Sequence, residues 1–129
     1  LLLHDLVEID VGDVPIHSAN GHAHASAETV AAEARAADRI FGLLPDDLRA
    51  DLRALWEEFE AAVTPDALFA KSLDRVQPVM ANLKSGGGTW VTYEVTADQL
   101  ETRVGVKIAK GAPGLWEWVR KQAARFFET

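Results

Sequence analysis

The residues of this 129-residue chain that are able to do chemistry begin at its fourth position, where His4 stands beside Asp5. Neighbouring positions of a helix point about 100° apart, since 3.6 residues make a turn. Two such side chains can converge on one ion placed between their directions. Imidazole nitrogen with carboxylate oxygen suits zinc, manganese, iron, nickel or cobalt. Glu8 follows one helical turn after His4 and shares its face. Asp13 comes just after the turn made by Val11-Gly12. A carboxylate in such a setting can orient a water molecule or accept its proton. The plainer alternatives are a solvated His–Asp pair or a core histidine, and the dipeptide alone does not separate them.

Further along, Asp74 sits inside an apolar stretch between Leu73 and Val76, with Lys71 three residues before it on the same helical face. Pro78 follows Asp74 by four positions. A proline there has no N–H for the Asp74 carbonyl, and its ring crowds that carbonyl. A bend is expected at Asp74, which marks either a site carboxylate turned inward or an ordinary solvent-side Asp. Lys71 can meet a phosphate or simply pair with Asp74. His17, His22 and His24 fall in one glycine-containing segment, where they can bind a transition metal or stay solvated. Of four tryptophans, Trp56, Trp116 and Trp118 lie in helical patterns and are expected in the packing. Trp90, after Gly86-Gly87-Gly88, is the one expected near a site or partner surface. No serine nucleophile motif is present, and the glycine run lacks the Gly-Lys-Ser/Thr ending of a nucleoside-triphosphate loop.

The elements that must position these groups read as helices. Apolar residues at Leu2, Leu3, Leu6 and Val7 suggest the last turns of a helix ending before Gly12, followed by a loop over residues 10–25. Ser26 is a good N-cap for a helix with Val30, Ala34, Ala37, Phe41 and Leu44 inward. Pro45 opens a third helix, with Asp46 and Asp47 favourable at its positive end and Leu48, Leu52, Leu55 and Phe59 as its buried stripe. Thr64-Pro65 opens a fourth, carrying Leu68, Phe69, Leu73, Val76, Met80 and Leu83 on one side. Residues 89–95 are β-prone but isolated, which favours a loop that docks Trp90. Thr96 and Gln99 have capping-box spacing for a fifth helix. Gly111 and Pro113 separate it from a last helix with Leu115, Val119, Ala123 and Phe126 inward. The expected architecture is all-α, in one domain covering residues 1–129.

Composition bounds the partners. Thirteen Lys and Arg against twenty Asp and Glu give a net charge of −7. Such a surface repels a polyphosphate, so a nucleic-acid polymer is not an expected partner. A small phosphorylated substrate is still admissible, because one local cation can outweigh the global field. The absence of cysteine excludes disulfides, thiolate metal sites and cysteine nucleophiles. No apolar run reaches the roughly 18 residues of a membrane span. A cytoplasmic setting is expected. The opening Leu1-Leu2-Leu3 reads as the interior of a longer protein, and its leucines, with Leu6, are expected to leave an apolar surface that favours a homodimer or larger assembly.

The run His4-Asp-Leu-Val-Glu-Ile-Asp-Val-Gly-Asp13 resembles the central motif of HD-domain metal-dependent phosphohydrolases, in particular the small 5′-deoxynucleotidase-like branch. The stretches Ile40–Pro45, Leu55–Glu60 and Phe69–Pro78 are similar to that branch in order and spacing, so the resemblance runs from Leu1 to about Trp118. It implies a compact helical HD bundle that removes phosphate from a nucleoside 5′-monophosphate or a similar small phosphomonoester. It also implies one divalent ion (Mn, Co, Zn, Fe, Ni or Mg) on His4, Asp5 and Asp74, with Glu8 handling the attacking water and Asp13 a second active-site acid. Lys71 is a weaker candidate for the phosphate. The family pattern includes an earlier histidine that has no counterpart after Leu1. The rival readings are a non-catalytic helical interaction domain on the same scaffold, and an HD hydrolase acting on another phosphorylated nucleotide.

Overall fold

The computed structural model describes residues 1–13 and 26–128, and all regular structure among them is helical. The all-α expectation holds, including at the β-prone segment, which forms a short helix. The loop holding His17, His22 and His24 lies outside the described residues. Two compact units divide the chain, Leu1–Ala61 and Ala62–Thr129.

In the first unit a 3-10 turn (His4–Val7) runs directly into α1 (Glu8–Val11). Gly12 ends the run at φ 77, in the left-handed region where a side chain would be strained. α2 (Ala27–Gly42) starts at Ser26, whose hydroxyl accepts from the Thr29 amide. α3 (Asp46–Ala61) begins after Pro45 with Asp46 and Asp47 in its first turn. Their core is Val7, Ala36, Ala37, Phe41 and Trp56, flanked by the partly buried Leu6, Val11, Leu44 and Leu52. Val7 is thus the residue through which the His4–Val11 segment is anchored.

The second unit opens with α4 (Pro65–Lys84), capped by Thr64 with Pro65 in its first turn and Pro78 inside it. α5 (Thr89–Thr92) follows the glycine run. α6 (Ala97–Leu100) carries the expected reciprocal capping box between Thr96 and Gln99. It continues through a π turn (Glu101–Gly105) into α7 (Val106–Gly111), and α8 (Pro113–Phe127) closes the unit. α4 packs most extensively on α7. At their crossing Ser72 Oγ donates to the carbonyls of Leu68 at 2.8 Å and Ile108 at 2.9 Å. A methyl group at Gly111 would stand 2.1 Å from the Leu68 carbonyl oxygen, so the two backbones meet through glycine and serine.

Several expected faces are turned. In α4 the buried residues are Ala67, Ser72, Val76, Val79 and Asn82, whereas Phe69, Leu73 and Met80 are exposed. The close crossing with α7 selects the small residues for the inside and rotates the large ones out. In α3, Leu48 and Leu55 are exposed and Trp56 takes the interior position beside Phe59. Val30, expected inward, is exposed in the first turns of α2. Trp90 is 2% exposed and packs on Phe126 and Phe127, with ring centroids 5.3 Å away in each case. It is a core residue and not a partner contact. Trp118, expected in the packing, is 53% exposed instead.

Candidate functional site

The chemistry-bearing groups of the first unit lie on the 3-10 turn and α1, where the turn draws consecutive side chains together. His4 Nδ1 bonds the Leu1 carbonyl oxygen. A carbonyl can only accept, so Nδ1 carries a proton and Nε2 is the ring nitrogen turned to the acidic end. That Nε2 lies 2.7 Å from Asp5 Oδ1. Two lone pairs at this distance repel unless a cation, a proton or a metal ion, is shared between them. A backbone carbonyl holding the remote ring nitrogen is also the arrangement that orients a metal-ligating histidine. The donor pair therefore fits a divalent ion. The ring is further fixed by Phe59 of α3, with centroids 4.7 Å apart.

Glu8 completes this acidic end. Its carboxyl feels the charges of Asp5, Asp13 and His4, so these four residues form one electrostatic group. Partial burial, then Asp5 and Asp13, push its pKa above the ordinary glutamate value of 4.5, against a lowering by His4. A raised carboxylate is a stronger base, which suits proton transfer near neutral pH. Glu8 also lines a cleft of about 210 Å³ with Val11, Gly12, Glu28, Thr29, Ala32 and Glu33.

Sequence reasoning had not drawn Glu28 and Glu33 to this place, nor the clamp that sets α1 on α2. Arg39 Nε and Nη2 each donate to an oxygen of the Asp10 carboxylate at 2.6 Å. Arg53 similarly ties Asp38 on α2 at 2.5 Å to Glu57 on its own helix at 3.0 Å. These pairs span 29 and 15 residues in sequence, and no local pattern marks them.

The remaining candidates belong to the second unit. Asp74 and Lys71 are half-buried residues of α4, one turn apart. Among the described residues no group of three or more His, Asp or Glu side chains is gathered tightly enough to hold a metal ion by itself. His4 and Asp5 are therefore a partial donor set. No helix among the described residues is long and apolar enough to cross a membrane.

Comparison with known proteins decides the family. A family model described as HD domain matches residues 1–116, nine tenths of the chain and across both units. The chain belongs to the HD-domain family. The 5′-deoxynucleotidase HDDC2 of Xenopus laevis is 35% identical over 83 residues, covering 64% of this HD domain and 39% of that protein. The human 5′-deoxynucleotidase HDDC2 is 37% identical over 79 residues, covering 61% and 37%. A solved structure, a predicted metal-dependent phosphohydrolase from Magnetospirillum magnetotacticum MS-1, superposes with a TM-score of 0.85 at 39% identity. That match covers 97% of this HD domain and 61% of the other chain. The HD domain described here thus spans about two fifths of the length of the curated relatives it matches.

Proposed function

We propose that this HD domain is part of a metal-dependent phosphohydrolase that removes phosphate from a nucleoside 5′-monophosphate. The observation that carries the reading is the juxtaposition of His4 Nε2 and Asp5 Oδ1 at 2.7 Å, with Glu8 in the same electrostatic group. The HDDC2 relatives and the metal-dependent phosphohydrolase neighbour support the same class. The family model extending over both units supports treating residues 1–129 as one HD-type domain.

In this reading His4, Asp5 and Asp74 hold a divalent ion, together with the histidine that the family pattern puts before this segment. A divalent ion held there would supply charge against the phosphoryl oxygens and lower the pKa of water. The protein's own groups do the rest. Glu8 accepts the proton of the attacking water at its Oε, and its raised pKa keeps it a useful base. Asp13 maintains the negative field that sustains that basicity. Water oxygen bonds to phosphorus, the bond to the 5′ oxygen breaks, and the leaving oxygen takes up the proton that Glu8 received, which returns Glu8 to its carboxylate form. Lys71 is the phosphate contact of this scheme, on the same helix as Asp74.

The N-terminal leucines favour a dimer, since Leu2 is 97% exposed and Leu1 and Ile9 are open beside it. The test is release of inorganic phosphate from deoxynucleoside 5′-monophosphates by the protein carried with its upstream sequence. Turnover dependent on added Mn²⁺ or Co²⁺ and abolished by a chelator is expected. Metal-independent turnover, or none with any nucleotide, would overturn the assignment.

A further inference from the structure

In a protein of net charge −7, four of thirteen basic residues meet at one helix crossing. Lys71 and Arg75 stand one turn apart on α4, and Lys107 and Lys110 three residues apart on α7. The crossing itself forces them together. Ser72, next to Lys71, is bonded to the carbonyl of Ile108, next to Lys107, and Gly111, next to Lys110, lies against Leu68. Like charges this close oppose folding.

Two observations show what the arrangement lacks. Lys107 is an exposed residue of α7. Partial burial of its ammonium and the charges of Arg75, Lys71 and Lys110 nonetheless hold it below the ordinary lysine value. The buried Arg75 Nε finds no hydrogen-bond acceptor among the described residues. Self-repelling cations and an orphaned guanidinium donor each cost stability in the protein alone. An anion at the crossing offsets the repulsion, and it reaches the orphaned donor only if the Arg75 guanidinium turns outward to meet it. The guanidinium edge and an ammonium beside it match the oxygens of a phosphoryl group, which accept short charge-assisted bonds from such donors.

We propose that the α4–α7 crossing is a phosphate-binding site, in which Arg75 and Lys107 contact a phosphoryl dianion and Lys110 and Lys71 supply the surrounding positive field. The site belongs to the second unit alone. Through Lys71 it rests on the proposed hydrolysis and deepens it, but phosphate binding in chelator needs neither metal nor turnover, so the two can fail separately. Its ligand is inorganic phosphate or the phosphate of a small phosphomonoester.

The experiment uses the full chain in chelator, titrated with inorganic phosphate and, separately, with a nucleoside 5′-monophosphate. Chloride at matched ionic strength is the reference. Melting temperature and the Arg75 Nε–H NMR signal are followed. Phosphate is expected to raise the melting temperature and shift that signal. Lys107→Met should weaken binding at least tenfold while raising the melting temperature of the phosphate-free protein, because it removes a repelled charge. Lys107→Arg should keep binding, and Lys121→Gln on α8 should leave it unchanged. Lys110→Gln should weaken binding severalfold, and it decides the matter if Lys107→Met does not fold. Equal binding of both ligands assigns the site to free phosphate, and a preference for the nucleotide assigns it to a phosphomonoester. A shift no larger than that of chloride, or undiminished binding in Lys107→Met or Lys110→Gln, overturns the proposal.

Discussion

The two units are held by different means. In Leu1–Ala61 the helices are joined by ion pairs over a small apolar core: Arg39 clamps Asp10, and Arg53 bridges Asp38 and Glu57. In Ala62–Thr129 backbones and rings touch through residues without side-chain bulk. Gly111 lies on Leu68 and Gly105 on Trp116, while Gly87, at φ +114, lies on Phe126. Exposed ion pairs in water contribute little to stability, whereas close-packed contacts tolerate no added atom. The first unit can therefore lose a side chain and keep its fold while its site changes. The second should lose its fold to a single methyl group.

The largest effect is expected at the glycines. Gly111→Ala puts a carbon 2.1 Å from the Leu68 carbonyl oxygen and 2.5 Å from Ser72 Oγ, both at the α4–α7 crossing. The helices must separate, at a cost of about 3 kcal/mol. Thermal unfolding should show the melting temperature falling by roughly 10 °C or more. Gly105→Ala, aimed at the Trp116 ring 2.3 Å away, should do the same. Unchanged melting of both variants would erase the contrast between the units.

A smaller loss is expected from Ser72→Ala. The buried hydroxyl links Leu68 and Ile108, and its removal should cost about 1 kcal/mol by denaturant unfolding. In the first unit the corresponding change is electrostatic. Hydrogen bonds and charge from Arg39 hold the Asp10 carboxyl below its ordinary value of 3.8. A depressed carboxylate adds stability above its unfolded pKa, and this is lost as pH falls through the folded value. Arg39→Ala should therefore differ slightly from the parent at neutral pH and converge with it in strong acid. An NMR titration should find Asp10 moved upward in the variant.

Glu8 carries the opposite sign. Its folded pKa is raised, so its contribution to stability is present below the ordinary value of 4.5 and lost as pH rises through the folded value. The unit thus sustains at neutral pH a charge that the site uses. Asp13→Asn removes one of the groups that raise Glu8 and should shift its midpoint down in a carboxyl NMR titration of metal-free protein. An unmoved midpoint would separate Asp13 from the site.

What the sequence revealed follows the same division. Helix starts at Ser26, Thr64 and Thr96 were legible because a cap is a contact three residues long. His4, Asp5 and Glu8 were legible because they fall within five consecutive positions, and Asp13 because it follows the Gly12 turn. Buried faces were not. Hydropathy placed Phe69, Leu73 and Met80 inside α4, but the partner helix selected Ser72 and left those three in solvent. Trp90 and Trp118 exchanged their expected places for the same reason, since burial is a property of the neighbour and not of the residue. The Arg39–Asp10 clamp and the approach of Glu28 and Glu33 to Glu8 depend on α2 folding back on α1, which no local pattern specifies.

The central claim is that His4 and Asp5 bind the ion while Glu8 works on water. Metal content and phosphate release measured together on Glu8→Ala and Asp5→Ala, each with its upstream sequence, test it most directly. Glu8→Ala should keep its metal and lose turnover by a hundredfold or more, on the order of a general-base contribution. Asp5→Ala should lose both, because it removes a donor from a small ligand set. An Asp5→Ala protein that holds metal as well as the parent would contradict the site, and near-normal phosphate release by Glu8→Ala would contradict the role given to Glu8.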